Sequence, residues 1–406
     1  MQVPFSPPDL CEEDIEAVVK VLRSGWITSG PVGEKFREAL TAFSGAAGTV
    51  LVNSATAALE AALRYLGIGP GDEVIVPAYT YTASASVIHH VGATIVMVDT
   101  EPGSYFTSAQ RVAAAITERT KAIILVDLAG RMVDIAPIYE VIDAARPLFR
   151  ASTPAQEAFG RIALIIDGAH SLGAQRAGIC AGAAGDFTAF SFHAVKNLTT
   201  AEGGAIAWRS ENPADHGDIE KFLKLHILHG QSKSALEKTN SAAWEYDVLF
   251  PGYKANMPDT LAALGLSQLG RYRATIARRH EIIGRYDSAL ADLPFASLAH
   301  SGSTDCGKEW RSSGHLYLLS LATLDLAGRN EFIDRMYERG VSCNVHYKPL
   351  PMLTAYKNLG FAVADFPNAL ERYEHEVTLP LHTALSDEQV EYVGITAHDI
   401  LAEMTA

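Results

Sequence analysis

The sequence predicts an α/β protein: a large domain built on a mostly parallel sheet sandwiched by helices, then a smaller C-terminal α/β domain. Three observations carry this. Apolar runs at 50–52, 73–76, 94–98, 122–126 and 161–166 have strand length, with helical patterns between them, as β-α-β units require. The 406 residues suffice for two cores. From residue 258 a long helical pattern leads into a second, compact alternation of strands and helices. The N-terminal arm and large domain are expected over 1–270, the small domain over 271–406.

Composition excludes several classes. A formal net charge of −14 with no basic run disfavours nucleic acid, whose phosphates need clustered Lys and Arg. No apolar run approaches the roughly 18 residues of a membrane span. The opening Met-Gln-Val-Pro-Phe-Ser-Pro-Pro lacks the basic start and apolar core of a secretory leader. Cys11, Cys180, Cys306 and Cys343 are scattered, without Cys-x-x-Cys, and read as reduced thiols in a cytoplasmic protein.

The elements follow in order. Residues 9–23 have helical spacing, with Leu10, Ile15, Val18, Val19 and Leu22 on one side and Gly25 closing the helix. Trp26-Ile-Thr28-Ser-Gly-Pro31 is a loop. After the strand at 50–52, the small residues Asn53-Ser54-Ala55-Thr56 open an alanine-rich helix. A strand, a small turn and a helix N-terminus form an anion site; an ordinary hydroxyl N-cap is the alternative. The strand at 73–76 ends in Pro77-Ala-Tyr-Thr-Tyr81-Thr82, and that at 122–126 in Asp127-Leu-Ala-Gly-Arg131. Residues 146–160 look inserted; a lid, an oligomer contact and a surface loop all remain open.

The strand at 161–166 ends in Asp167-Gly-Ala-His170-Ser171, where α/β proteins place ligand contacts. Residues 186–190 and 205–208 read as strands flanking a loop that carries Lys196. An ammonium between buried strands is costly to desolvate, so its pKa falls, and a neutral amine there can attack a carbonyl. A plain surface lysine in a hairpin is the alternative. Residues 215–252 are polar and show no pattern; His226 and His229 have metal-like spacing but no third ligand, so no metal is expected. Pro258 starts a long helix carrying Leu261, Leu264, Leu269, Tyr272, Ile276, Ile283, Tyr286 and Leu290. Strands at 315–320 and 341–345 bracket a helix over 329–339, and Ser386-Asp-Glu-Gln389 is a capping box opening the last helix.

The block Ser191-Phe-His193-x-x-Lys196-Asn-x-Thr-Thr-x-Glu-Gly-Gly204, with Asp167 upstream, resembles the DegT/DnrJ/EryC1/StrS sugar aminotransferases. The resemblance extends from Gly25-Trp-Ile-Thr-Ser-Gly-Pro31 to Leu379-Pro-Leu-His382. It implies a fold-type I transferase with a seven-stranded sheet and pyridoxal 5'-phosphate (PLP) as cofactor. In such a protein Lys196 holds the aldehyde as a Schiff base and moves the proton, Asp167 pairs with the ring nitrogen, and His170 orients the ring oxygen or Asp167. Ser54, Ala55, Thr56 and Ser191 would bind the phosphate, and Tyr81 would cover the ring. Trp26, Thr28, His193, His346, Tyr347 and Lys348 would meet the substrate, the last three at a diphosphate; a solvated turn is the alternative for Lys348. Asn256 would complete the phosphate site of a neighbouring subunit in a homodimer. Pro251-Gly-Tyr-Lys254-Ala-Asn256 departs from the usual Gly-Tyr-Asn-Tyr-Arg spelling, which makes Lys254 a second candidate.

The resemblance therefore implies transfer of an amino group from glutamate to a nucleotide-linked keto sugar, a 4-keto-6-deoxyhexose foremost, in cell-surface polysaccharide or lipopolysaccharide synthesis. A 3-keto sugar or cyclitol aminotransferase, a non-catalytic PLP-binding sensor and an α/β binding protein without PLP are the alternatives. Lys196 argues against the deoxygenating relatives, which carry His at that place.

Overall fold

The computed structural model describes residues 1–233, 245–304 and 307–405; Cys306 and part of the 215–252 stretch lie outside them. In chain order the strands are β1 (Gly48–Val52), β2 (Glu73–Pro77), β3 (Thr94–Val98), β4 (Thr120–Val126) and β5 (Ala163–Asp167). Two short strands follow, β6 (Gln175–Arg176) and β7 (Ile179–Cys180), and then β8 (Phe187–Ser191) and β9 (Gly204–Trp208). The central sheet has seven strands in the order β1-β9-β8-β5-β4-β2-β3. Within it only β9 runs against the rest, pairing antiparallel with both β8 and β1. Strands covered on both faces are apolar throughout rather than alternating. Accordingly Val74 and Val76 of β2 enter one core while Ile75 enters the core on the other face.

Register places the site. Val126 pairs with Asp167 across β4 and β5, so both strands end at one level and Asp127 and Asp167 meet at the sheet's C-terminal edge. The starts of β5 and β8 are locked by a buried ion pair. Arg161 donates from both terminal nitrogens to Asp186, each at 2.7 Å, and Asp186 also accepts from Leu164 N at 2.8 Å.

The helix Asp259–Ala289 passes from this core to a third one, where Ile282, Ile283 and Tyr286 are buried with Tyr317, Leu319, Val377 and Leu379. There β10 (Ala296–Ser297), β13 (Tyr317–Ser320) and β14 (Glu376–Leu379) form a three-stranded sheet. Between them in sequence, β11 (Ser301–Ser303) and β12 (Glu309–Arg311) join β6 and β7 in a four-stranded sheet. The capping box opens the helix Asp387–Thr405: Gln389 N donates to Ser386 Oγ and Ser386 N to Gln389 Oε1.

Several expectations change. The first helix spans Glu12–Ser24, and its buried residues are Asp14 and Val21 rather than the expected apolar side. Leu10, Ile15 and Leu22 are about half exposed. Burial of Asp14 is offset by an ion pair with Arg271 of the long helix. The pattern-less stretch contains a helix, His216–His226, capped by Asp215, whose carboxylate accepts from Asp218 N. Residues 341–345 form isolated bridges, Val3↔Val341 and Asn344↔Thr378, rather than a strand. The 146–160 stretch holds a helix, Pro154–Phe159, and closes the end of another: Thr153 Oγ1 and Gln156 Nε2 both donate to Leu66 O, just past the helix Ala55–Tyr65. Among the described residues no helix is long and apolar enough to cross a membrane.

Candidate active site

A cavity of about 580 Å³ opens at the C-terminal edge of the central sheet. Ser54, Ala55, Thr56, Tyr81, Asp167, His170, Ser191, His193, Lys196, His346 and Tyr347 all line it. These residues come from five separate stretches of the chain: four follow strands of the central sheet, and the fifth, with His346 and Tyr347, comes from a segment bridged to β14.

One end suits an anion. Ser54 is the N-cap of the helix Ala55–Tyr65, its Oγ accepting from Ala57 N at 3.1 Å. The Ala55 and Thr56 amides are first-turn donors with no helical acceptor, and the helix dipole favours negative charge there. Gly204 keeps that cradle open: a Cβ on it would lie 2.6 Å from Ala55 N and 2.7 Å from Phe190 O. Ser54 is thus an N-cap that also lines the cavity.

The other end carries a carboxylate. Asp167 is buried; its Oδ2 accepts from Ser84 Oγ at 2.6 Å and its Oδ1 from Ala169 N at 3.2 Å. Burial raises its pKa, opposed by those bonds and by the charge of Lys196. Neighbouring Asp127 is pushed to about 7, chiefly by burial, with the charge of Asp167 adding to the rise. Lys196 lines the same cavity. Desolvation in this concave setting lowers its ammonium to about 8, with Asp167 pulling the other way. That mutual influence places amine and carboxylate within electrostatic reach of one another.

His170 packs over this region in a fixed protonation state. Its Nδ1 accepts from Ala129 N at 3.2 Å, so Nε2 carries the proton, 3.2 Å from Tyr347 Oη. Burial holds its pKa well below the ordinary range, followed by the repulsion of Lys196. His315, 4.2 Å away between ring centroids, is likewise kept neutral, and its Nδ1 donates to Asn197 Oδ1 at 2.8 Å. Tyr81 is 58% exposed at the rim, its ring 5.8 Å from that of Tyr347. His193 is exposed, with Nε2 3.7 Å from Glu202 Oε1.

Four expected residues lie elsewhere. Lys348 is exposed outside the cavity. Trp26 lines a second cleft, of about 440 Å³, between the first helix and the long one. Thr28 is exposed beside it, its carbonyl accepting from Asp259 N at 3.0 Å. Asn256 donates from Nδ2 to Ser29 Oγ at 2.6 Å, and Lys254 donates to its Oδ1. Trp26 Nε1 donates to Ser29 O at 3.1 Å, so Trp26, Ser29 and Asn256 form one connected patch that does not line this chain's own cavity. His226 stacks on Phe222 at 5.4 Å and packs as an aromatic core residue. Sequence reasoning missed Ser84, His315, Glu202 and the arm residues Phe5 and Ser6, of which all but Ser84 line the cavity.

The donor set fits PLP: amides for a phosphate, a carboxylate for a pyridinium nitrogen and a partly neutral amine in the same cavity. The cavity falls within the range of small-ligand sites.

The model of the DegT/DnrJ/EryC1/StrS aminotransferase family matches residues 8–397. The spore coat polysaccharide biosynthesis protein SpsC of Bacillus subtilis is 37% identical over 406 residues, covering 98% of this chain and 97% of SpsC. Spr1654 of Streptococcus pneumoniae, a candidate sugar aminotransferase, has been solved in a PLP form that is 46% identical, with a TM-score of 0.94 and 100% of each chain covered. Its PMP form is 47% identical, with a TM-score of 0.94 and 100% and 99% covered. PseC of Helicobacter pylori, an aminotransferase involved in pseudoaminic acid biosynthesis, is 28% identical, with a TM-score of 0.83 and 99% and 100% covered.

Proposed function

This chain belongs to the DegT/DnrJ/EryC1/StrS aminotransferase family and is a PLP-dependent sugar aminotransferase; on that premise we propose that it moves an amino group from glutamate to a nucleotide-linked keto sugar, a 4-keto-6-deoxyhexose foremost, for a cell-surface polysaccharide. The observation that supports this reading is that Lys196, Asp167 and the Ser54–Thr56 segment line one cavity. The polysaccharide role of SpsC and the involvement of PseC in pseudoaminic acid biosynthesis support the acceptor class.

When bound, PLP supplies an aldehyde for the amine and a ring that withdraws electrons. Asp167 holds a proton at the ring nitrogen, with Ser84 and Ala169 fixing the carboxylate's direction. The Ala55 and Thr56 amides and the Ser191 hydroxyl bind the phosphate. Lys196 is basic enough to accept a proton from carbon and, with a pKa near 8, acidic enough to return it. Neutral His170 and Tyr347 wall the site against water.

We further propose a homodimer with shared sites. The Trp26–Ser29–Asn256 patch misses its own cavity, and the half-exposed Leu10, Ile15, Leu22 and Ile27 support a covered surface nearby. The test of function is incubation with glutamate and a panel of nucleotide keto sugars, with the product identified by NMR. Conversion of a cyclitol ketone but of no keto sugar would overturn the acceptor class.

A further inference from the structure

One wall of the cavity holds a chain of polar groups that the reading above does not use. His346 Nδ1 lies 2.8 Å from Thr378 Oγ1. Thr378 Oγ1 lies 2.6 Å from Glu376 Oε1. Glu376 Oε2 closes the ring by accepting from His346 N at 2.7 Å. Two backbone bonds between Asn344 and Thr378, at 3.1 and 2.8 Å, hold the two segments in line. Glu376 and Thr378 are fully buried in β14, positions an apolar strand would fill. Phe5 stacks on the imidazole at 5.7 Å and 19°.

A hydroxyl has one proton to give. When Glu376 is ionised, Thr378 donates to it and must accept from His346 Nδ1–H. The ring then presents a bare Nε2 to the cavity that His346 lines. When Glu376 is protonated, it donates to Thr378, Thr378 donates to Nδ1, and Nε2 carries the hydrogen. The two arrangements differ by one proton, and the imidazole is neutral in both.

We propose that Glu376, Thr378 and His346 form a proton relay opening into the cavity at His346 Nε2. His346 is the group that touches the substrate; Thr378 and Glu376 are positioning and storage residues behind it. The assignment of its substrate rests on the aminotransferase reading. An amino acid arrives as an ammonium and must lose a proton before its nitrogen can attack. Its N–H bond breaks as Nε2–H forms, Nδ1–H breaks as a new Thr378 O–H forms, and the former Thr378 proton passes to Glu376 Oε1. Glu376 gains the proton the substrate loses. With the acceptor, the reverse sequence gives that proton to the departing carbonyl oxygen, and one hydrogen of the attacking amine completes the water.

The surroundings suit this. Burial, then the charge of Lys196, pulls His346 down to about 3, which disfavours an imidazolium intermediate. Burial pushes Glu376 up to about 8, so both of its forms are accessible near neutrality. The charged groups facing Glu376 are Arg329, which donates to its carbonyl at 3.0 Å, and Arg372. Tyr79, Tyr105, Tyr347 and Cys343 face it as neutral groups.

The test is the ¹⁵N spectrum of His346 in the PLP-loaded protein without substrate. As pH rises, wild type should pass from the Nε2–H to the Nδ1–H form without becoming an imidazolium. Glu376→Gln, whose amide donates to Thr378, should stay Nε2–H throughout. Identical tautomers in both proteins, or an imidazolium in wild type, would overturn the relay. In the amino acid half-reaction, Glu376→Gln should lose about 100-fold in kcat and the acid limb of its pH profile, with KM unchanged. Thr378→Ser should restore most of what Thr378→Val loses; equal losses in both overturn the hydroxyl's role. A wild-type chain that takes no amino group from any amino acid overturns the aminotransferase reading, while the spectrum decides the relay separately.

Discussion

Ser84 donates to Asp167 Oδ2 at 2.6 Å from inside the helix Thr82–His90, while Thr80 Oγ1 lies 2.9 Å behind it. The bond fixes the carboxylate and offsets part of the cost of burying its charge. Ser84→Ala leaves one carboxylate oxygen without that donor and lets the pKa of Asp167 climb further. A hydrogen bond to a charged group contributes about 1.5–3 kcal/mol, so PLP affinity should fall roughly 10-fold or more. Spectrophotometric titration of the apo-protein with PLP measures this, and an unchanged dissociation constant would remove Ser84 from the cofactor's support.

The pH dependence of cofactor uptake follows from Lys196. Its amine must be neutral to react, and its pKa is lowered from 10.5 to about 8. At pH 7 roughly a tenth of such an amine is neutral, against well under a thousandth for an ordinary lysine. The rate of PLP uptake by the apo-protein should therefore rise with pH and level off above about 8. Asp167→Asn removes the charge that favours the ammonium, so the midpoint should move to lower pH. Absorbance-monitored uptake across the pH range checks both; a midpoint near 10.5 would mean Lys196 is ordinarily solvated.

The buried pair Arg161–Asp186 gives a stability prediction. Asp186 is fully buried and Arg161 is 6% exposed, so loss of either partner strands a charge in the core. Arg161→Ala should cost about 3–5 kcal/mol in denaturant unfolding. Because the pair joins the starts of β5 and β8, residual folded protein should also bind PLP more weakly. A loss below about 1 kcal/mol would place the pair with exposed ones.

The reach of sequence reasoning is visible in these residues. Asp167 and Lys196 were legible because each follows or precedes a short apolar run, and carboxylates and amines in such places have few other uses. Ser84 was not: it sits in the first turn of a helix, 83 residues from its partner, and nothing local distinguishes it from a helix-surface serine. Glu376 and Thr378 alternate with Val377 and Leu379, a pattern that ordinarily turns the polar set to solvent, yet all four are buried in β14. The stripe Leu10, Ile15 and Leu22 shows a different limit. Periodicity marks an apolar face without saying what covers it, and the helix turns Asp14 and Val21 inward because Arg271 neutralises Asp14. The helix His216–His226 escaped because its apolar positions, Ile219, Phe222 and Leu223, are diluted by charge.

Asn256 tests whether sites are shared. Its side chain bonds Ser29 and does not line its own chain's cavity, although Asn53 N donates to Ala255 O at 2.8 Å nearby. In a two-fold dimer a patch on one chain can complete its partner's site, and reciprocally. Lys196→Ala and Asn256→Ala chains are then each inactive alone. A mixed dimer pairs the intact Lys196 of one with the intact Asn256 of the other and regains one working site of two. With random pairing half the dimers are mixed, so about a quarter of wild-type activity should return. Should Asn256 serve its own chain instead, every mixed dimer holds one defect in each site, and co-refolded protein stays as inactive as its components.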